Sequence, residues 1–298
     1  MGHGRHVTSS AQETLLNLTP FFVADTSNHR IVKRIIENLS YATKTGSDGS
    51  GDDQFHKPYG LTSDGTFLYV CDTENHRLKK HLCSDLSFAA KIGSLGAGDD
   101  QFNYPDKPCN DGIFLYIPDT DNYRIVKRLC SDLSFVSKYG TAGAGNDQVS
   151  LPRACCTDGT FLYITDTGND RIVKRLCSDL SFVAKIGTEG SGDDQFDAPK
   201  GCATDGVYLY VCDTFNCRIV KRLCSDLSFV AECGTNGTGD NNFKFLEGVL
   251  LSGNTLIISD TNNNRLIKRR ASDLVYLSKV GTFGTGDDQF KYAKGVGL

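Results

Sequence analysis

The chain of 298 residues is 39% apolar and 23% charged, the balance of a globular protein rather than a disordered one. Its net charge of −4 argues against a dedicated nucleic-acid binder, which carries a basic balance. No apolar run approaches the roughly 20 residues that cross a bilayer as a helix, so no membrane span is expected.

Residues 1–16 lack the apolar core of a secretion signal and are read as an N-terminal extension. Disorder, cover for the last blade and assembly with another subunit are all open to it. From residue 17 to 298 the chain is one motif copied six times. "ADTSNHRIVKR" begins at Ala24, and variants of it begin at Cys71, Pro118, Thr165, Cys212 and Ser259. Asp25, Asp72, Asp119, Asp166, Asp213 and Asp260 recur every 47 residues, and Arg30, Arg77, Arg124, Arg171, Arg218 and Arg265 keep the same step.

One unit, taken in order, reads as four short strands. "YGLTS" (59–63) is the first, and "SDGT" (63–66) is a turn. "FLYVC" (67–71), β-branched and aromatic, is a buried strand. "DTENHR" (72–77) is a second turn, and "RLKKHL" (77–82) is a third strand alternating apolar and charged residues. "SDLS" (84–87) turns the chain into "FAAKIG" (88–93), the fourth strand, and a glycine-rich segment leads to the next unit. With no helical period anywhere in the unit, this predicts an all-β, six-bladed β-propeller with four antiparallel strands per 47-residue blade. The chain ends on "KGVGL" (294–298), which matches only a first strand, while "FFVADT" (21–26) supplies a second. The C-terminal strand is therefore expected to pair beside the N-terminal three and seal the ring, hiding both sheet edges.

The stretch "GSGDDQFHKPYGLTSDGTFLYVCDTENHRL" (49–78) resembles an NHL repeat: glycine-rich loop, Gln-Phe, Asp-Gly, a hydrophobic strand ending in Asp, and Asn-x-Arg. The resemblance runs over 17–298 and implies the propeller fold. About function it leaves three readings, since the family includes binding modules, single-stranded RNA binders and a few lyase-like enzymes. Two units depart from the pattern. Unit three has Val149 where the others have phenylalanine, and unit five reads "GTGDNNFKFLEG" (237–248) without Gln and Pro, so these are expected to hold the connecting loop differently.

The repeated acids have structural readings. In "GSGDDQF" (190–196), Gly190 and Gly192 would supply positive φ, Asp193 would cap the turn and Phe196 would anchor it by burial. The loop lacks the spread acids of an EF-hand and the Gly-Lys-Ser/Thr end of a P-loop. In "DTxNxR" the aspartate accepts backbone N–H groups, the asparagine makes the bend and the arginine braces it. "IVKR" places Lys33 and Arg34 on opposite faces of a solvated outer strand. Most of the twelve cysteines read as free thiols in small apolar sites, since Cys83, Cys130, Cys177 and Cys224 sit one repeat apart, normally too far for a bridge. Free thiols favour a reducing compartment, although the compartment itself is not legible.

Positions that differ between copies are the candidates for function. Tyr59, Asp106, Arg153, Lys200, Glu247 and Lys294 are equivalent, and so are His29, His76, Tyr123, Asp170, Cys217 and Asn264. In an up-and-down blade both sets fall on the face carrying the blade-connecting loops. The site expected there consists of Tyr59, Asp106, Arg153, Lys200, Glu247 and Lys294 with His29, His76 and Tyr123. The expected role is a non-catalytic scaffold for a protein or glycan partner, with nucleic acid disfavoured. No catalytic constellation and no cofactor are expected. His29 and His76 lie on neighbouring blades without the further ligands of a zinc set, and a lactonase-like channel calcium is the minor alternative.

Overall fold

The computed structural model describes residues 18–298, so the expectations placed on 1–16 lie outside the described residues. Six four-stranded antiparallel sheets follow one another along the chain. In the second blade the strands are Gly60–Ser63, Phe67–Asp72, Arg77–Leu82 and Phe88–Ile92, each within a residue or two of its sequence reading. The ring closes as expected. Ala293–Gly297 pairs antiparallel with Pro20–Asp25, placing Val296 opposite Val23. Sheets pack face to face through apolar clusters, such as Tyr69, Cys71 and Leu78 against Leu115, Ile117 and Val126. The first strand of blade three is cut to Cys109–Asn110, because Pro108, which no other blade has at that position, removes a ladder donor.

The second turn is a single 3-10 turn, such as Thr73–Asn75, ending on a left-handed residue, His76 at φ 53°. Its aspartate works as anticipated. Asp72 accepts the His56 N–H at 2.7 Å, Asn75 Nδ2 at 2.9 Å and Arg77 Nε at 2.7 Å. Arg77 then carries the bond onward to the Ser50 carbonyl in the connecting loop. The loop itself is structural, with two corrections. Gly190 has φ 145°, but Gly192 does not need positive φ. The cap comes from Gln195, whose Oε1 accepts the Gly192 N–H at 3.1 Å, rather than from Asp193. Phe196 is fully buried.

The reading of "IVKR" as a solvated strand is wrong. The third strand is buried; the fourth is the solvated one, alternating half-buried and exposed. The lysines staple each blade to the third turn of the next: Lys80 Nζ donates to the Cys130 and Ser131 carbonyls, each at 2.8 Å, and its ammonium lies 3.9 Å from the Phe67 ring centre. The arginines clamp the connecting loop. Buried Arg222 donates to the Leu227 carbonyl at 2.5 Å and the Asp193 carbonyl at 2.6 Å, and pairs with Asp194. An alternating pattern conceals this, because long side chains can bury their stems and still bring the charge to carbonyls.

The departing units keep the same loop. Val149 is fully buried in the Phe196 position, and in place of the lost ring Arg175 stacks 3.8 Å over Tyr139. In unit five the Gly237 N–H still donates to the Phe243 carbonyl at 3.0 Å, so the backbone course is kept, but the glutamine cap is replaced: Asn242 Nδ2 donates to Thr235 Oγ1 at 2.7 Å.

Blade two carries a further exchange. Five blades have Val or Ile followed two residues later by Arg, whereas this one has Lys79 and His81. His81 is too short to clamp the loop and bonds only the Leu86 carbonyl, at 3.0 Å. Lys79 replaces the clamp, donating to the Asp52 carbonyl and, at 2.9 Å, to the Gln54 carbonyl. Burial pushes the Lys79 ammonium down to about 8. Lys79→Val alone is expected to cost about 1–3 kcal/mol by leaving these carbonyls unpaired. Combined with His81→Arg it should recover most of that loss, because the pair then matches the other blades. Strictly additive effects in denaturant unfolding would refute the exchange.

All twelve cysteines are free, and all but Cys233 are buried. Cys155 and Cys156 point into different clusters. Cys109 and Cys155, which are not equivalent positions of the repeat, come together at the centre, where first strands converge, with Sγ atoms 3.0 Å apart.

Candidate functional site: the channel mouth and its rim

First strands approach closely around the axis. A Cβ on Gly201 would meet the Glu247 carbonyl at 2.6 Å, and one on Gly295 would meet the Tyr59 carbonyl at 2.5 Å. That position is Gly60, Ala154, Gly201, Gly248 and Gly295 in five blades and Lys107 in the sixth. Lys107, Ala154, Gly201, Gly248 and Gly295 line a narrow cavity of about 40 Å³ on the axis. Sequence reasoning missed Lys107, although comparing the copies at this column would have exposed it.

The residues one position earlier form a mutually paired ring. Asp106, almost fully buried, faces Lys107 Nζ at 3.0 Å and Arg153 Nη1 at 3.3 Å. Across the mouth Glu247 faces Lys200 Nζ at 2.8 Å and Lys294 Nζ at 3.6 Å. The Lys294 ammonium also lies 3.7 Å over the Tyr59 ring. All six ring residues expected from the sequence are therefore part of one mouth. Four cationic side chains (Lys107, Arg153, Lys200, Lys294) stand against two carboxylates. Burial acts to raise the Glu247 pKa, but Lys294, Lys200 and Lys107 outweigh it and hold the group at about 2. Burial lowers the pKa of Lys200 and Lys294, with Glu247 opposing it. Arg153 Nε is buried without a partner among the described residues.

His29, His76 and Tyr123 stand apart from this ring. Each is the left-handed residue closing a second turn, at φ 55°, 53° and 54°. The turns pack on the connecting loops at blade junctions: His76 Nδ1 accepts the Tyr104 N–H at 3.2 Å, and the two rings meet edge-on at 4.8 Å. His29 gathers partners that sequence reasoning did not join to it. Asp48 Oδ1 lies 3.3 Å from His29 Nδ1 and 2.6 Å from His56 Nδ1. Asp48 and His56 come from the connecting loop, whose fold back onto the turn is not visible in a linear pattern.

The chain matches no family model and no curated protein. Solved structures do resemble it. A chain of the nidogen–laminin complex is 14% identical, with 93% of this chain and 97% of that one covered and a TM-score of 0.66. A catalytically inactive variant of virginiamycin B lyase from Staphylococcus aureus, with quinupristin, is 12% identical, with 83% and 76% covered and a TM-score of 0.57. A protein of unknown function from Bacteroides caccae is 9% identical, with 94% and 98% covered and a TM-score of 0.66. At these identities the likeness is one of fold: the chain is a β-propeller.

Proposed function

We propose that the chain is an NHL-type propeller acting as a non-catalytic binding scaffold, and that its channel mouth takes an acidic side chain of a protein partner. The observation that carries this is the surplus of cations at the mouth, four against two carboxylates. A desolvated, pre-paired cationic ring favours a carboxylate by charge without having to reorganise. The nidogen–laminin neighbour supports a protein-binding use of the same architecture, at the level of fold only. A channel calcium fits poorly. Both acids of the mouth already face cations, so a divalent ion would meet net positive charge instead of a free oxygen cage.

The test is binding of a labelled oligoglutamate peptide, beside an oligogalacturonate glycan and a single-stranded oligouridine RNA. The peptide should bind saturably and more weakly at higher salt. Its affinity should fall at least about tenfold in Lys294→Gln, about the worth of one charge-assisted bond, and rise in Glu247→Gln, which enlarges the surplus. Preference for the glycan or the RNA, or an affinity untouched by both substitutions, would overturn the reading.

A further inference from the structure

The junction of blades one and two brings together two imidazoles and two carboxylates. His29 closes the second turn of blade one, Asp48 and His56 come from the connecting loop, and Glu74 lies in the second turn of blade two. The ligand atoms of His29, Asp48 and His56 all lie within 4.8 Å of one another. From these contacts we infer that the junction is a binding site for a divalent transition-metal ion of the zinc type. The site is distinct from the channel mouth and does not depend on the function proposed for it.

Three features of the geometry carry the inference. First, the Lys57 N–H donates to His29 Nδ1 at 3.2 Å, which makes that nitrogen a lone-pair acceptor. It nevertheless faces the Asp48 carboxylate at 3.3 Å, acceptor against acceptor with no proton between. A cation resolves that contact, and a tetrahedron of ligands about 2.0 Å from zinc has edges of about 3.3 Å. Second, His56 reaches Asp48 through Nδ1 at 2.6 Å, and its other nitrogen, Nε2, lies 3.0 Å from Glu74 Oε2. Glu74 is in turn held by Lys57 Nζ at 2.8 Å. A carboxylate on the far nitrogen fixes the tautomer and strengthens a metal-binding histidine. Third, the combination is particular to this junction. At the next one the same four positions hold His76, Leu95, Asn103 and Asp121, and no other junction joins two histidines to a carboxylate.

Loading requires modest change. The metal replaces the proton shared by His56 and Asp48, whose side chains are partly exposed and free to open from hydrogen-bond to ligand spacing. It also takes the His29 lone pair from the Lys57 N–H. The fold tolerates that loss, since the equivalent amides of Leu151 and Phe245 stand opposite Tyr123 and Cys217, which supply no imidazole. His29, Asp48 and His56 make three ligands and leave a fourth position facing solvent, open to water or to a donor group of a partner. Glu74 is a positioning residue rather than a ligand.

The test is titration of the chelator-stripped full chain with Co²⁺ and Zn²⁺, read by calorimetry and by the visible spectrum of tetrahedral cobalt. The comparison protein is the triple variant His29→Asn, Asp48→Asn, His56→Asn, whose asparagines stand at the same positions in other blades as Asn264, Asn236 and Asn103, so the fold should be kept. Wild type should bind one more equivalent than the triple variant, with a tetrahedral cobalt spectrum lacking thiolate bands. Glu74→Gln should weaken that equivalent by about 10–100-fold while the unfolding midpoint of the metal-free protein stays put. Equal stoichiometry and affinity in wild type and triple variant would overturn the site, as would a thiolate spectrum in wild type.

Discussion

Asp213→Ala should destabilise the protein by about 3 kcal/mol, the low end of the cost of breaking a buried ion pair, because Arg218 keeps a second, exposed carboxylate in Glu232. Asp213 is fully buried and accepts the Asp197 N–H at 2.8 Å, Asn216 Nδ2 at 2.9 Å and Arg218 Nε at 2.7 Å. Arg218 is also buried; its remaining donors reach the Ser191, Gly192 and Gln195 carbonyls, and its Nη1 also pairs with the exposed Glu232 carboxylate at 2.5 Å. Removing the carboxylate strands an amide and an asparagine, leaves the guanidinium with only the exposed Glu232 as counter-charge, and releases the loop that joins blades four and five. Asp213→Ala with Arg218→Met should cost clearly less than the two single effects added together, since no buried charge is then left short of its main partner. Chemical denaturation of the four proteins measures this. A single-variant loss below about 1 kcal/mol would mean that the turn is held by something other than this pair.

The fold was legible because its determinants are local and repeated. Period, strand composition and turn residues all fall within 47 residues, and six copies of Asp213 and Arg218 make their structural meaning plain. What escaped depended on where the neighbouring blade or loop would lie. The lysine of "IVKR" looked solvent-facing because the carbonyls that receive Lys80 belong to Cys130 and Ser131, one whole unit later. The charged ring was legible as a column of variable residues, but Lys107 was hidden one position further on, where only the convergence of strands on the axis gives a lysine a role. The His29, Asp48 and His56 cluster was invisible for a different reason. Its members lie on two turns of irregular backbone, and no periodicity relates position 29 to position 48.

Acid should take away a defined part of the stability through one ring residue. Glu247 is held at about 2 in the folded protein against an ordinary value near 4.5. A depressed carboxylate contributes stability that is complete above its unfolded pKa and is lost as pH falls through the folded one. The window is therefore about pH 5 down to about pH 2, and the amount is about 3 kcal/mol. The turn aspartates Asp25, Asp119, Asp166, Asp213 and Asp260 push the other way. Burial raises the Asp213 carboxyl above its ordinary value, although the Asp197 amide, Asn216 and Arg218 pull it down. Its contribution is thus present below the unfolded pKa and lost as pH rises through the folded one, so total stability alone cannot report on Glu247. The difference between wild type and Glu247→Gln can, because the aspartates cancel. That difference should shrink steadily from pH 5 to pH 2 as wild type loses the ion pairs to Lys200 and Lys294. A difference independent of pH would place Glu247 outside the cationic field. The same substitution is expected to tighten an acidic ligand at neutral pH, so one residue connects the two properties of the mouth: the carboxylate that stabilises the ring also competes with the ligand for its cations.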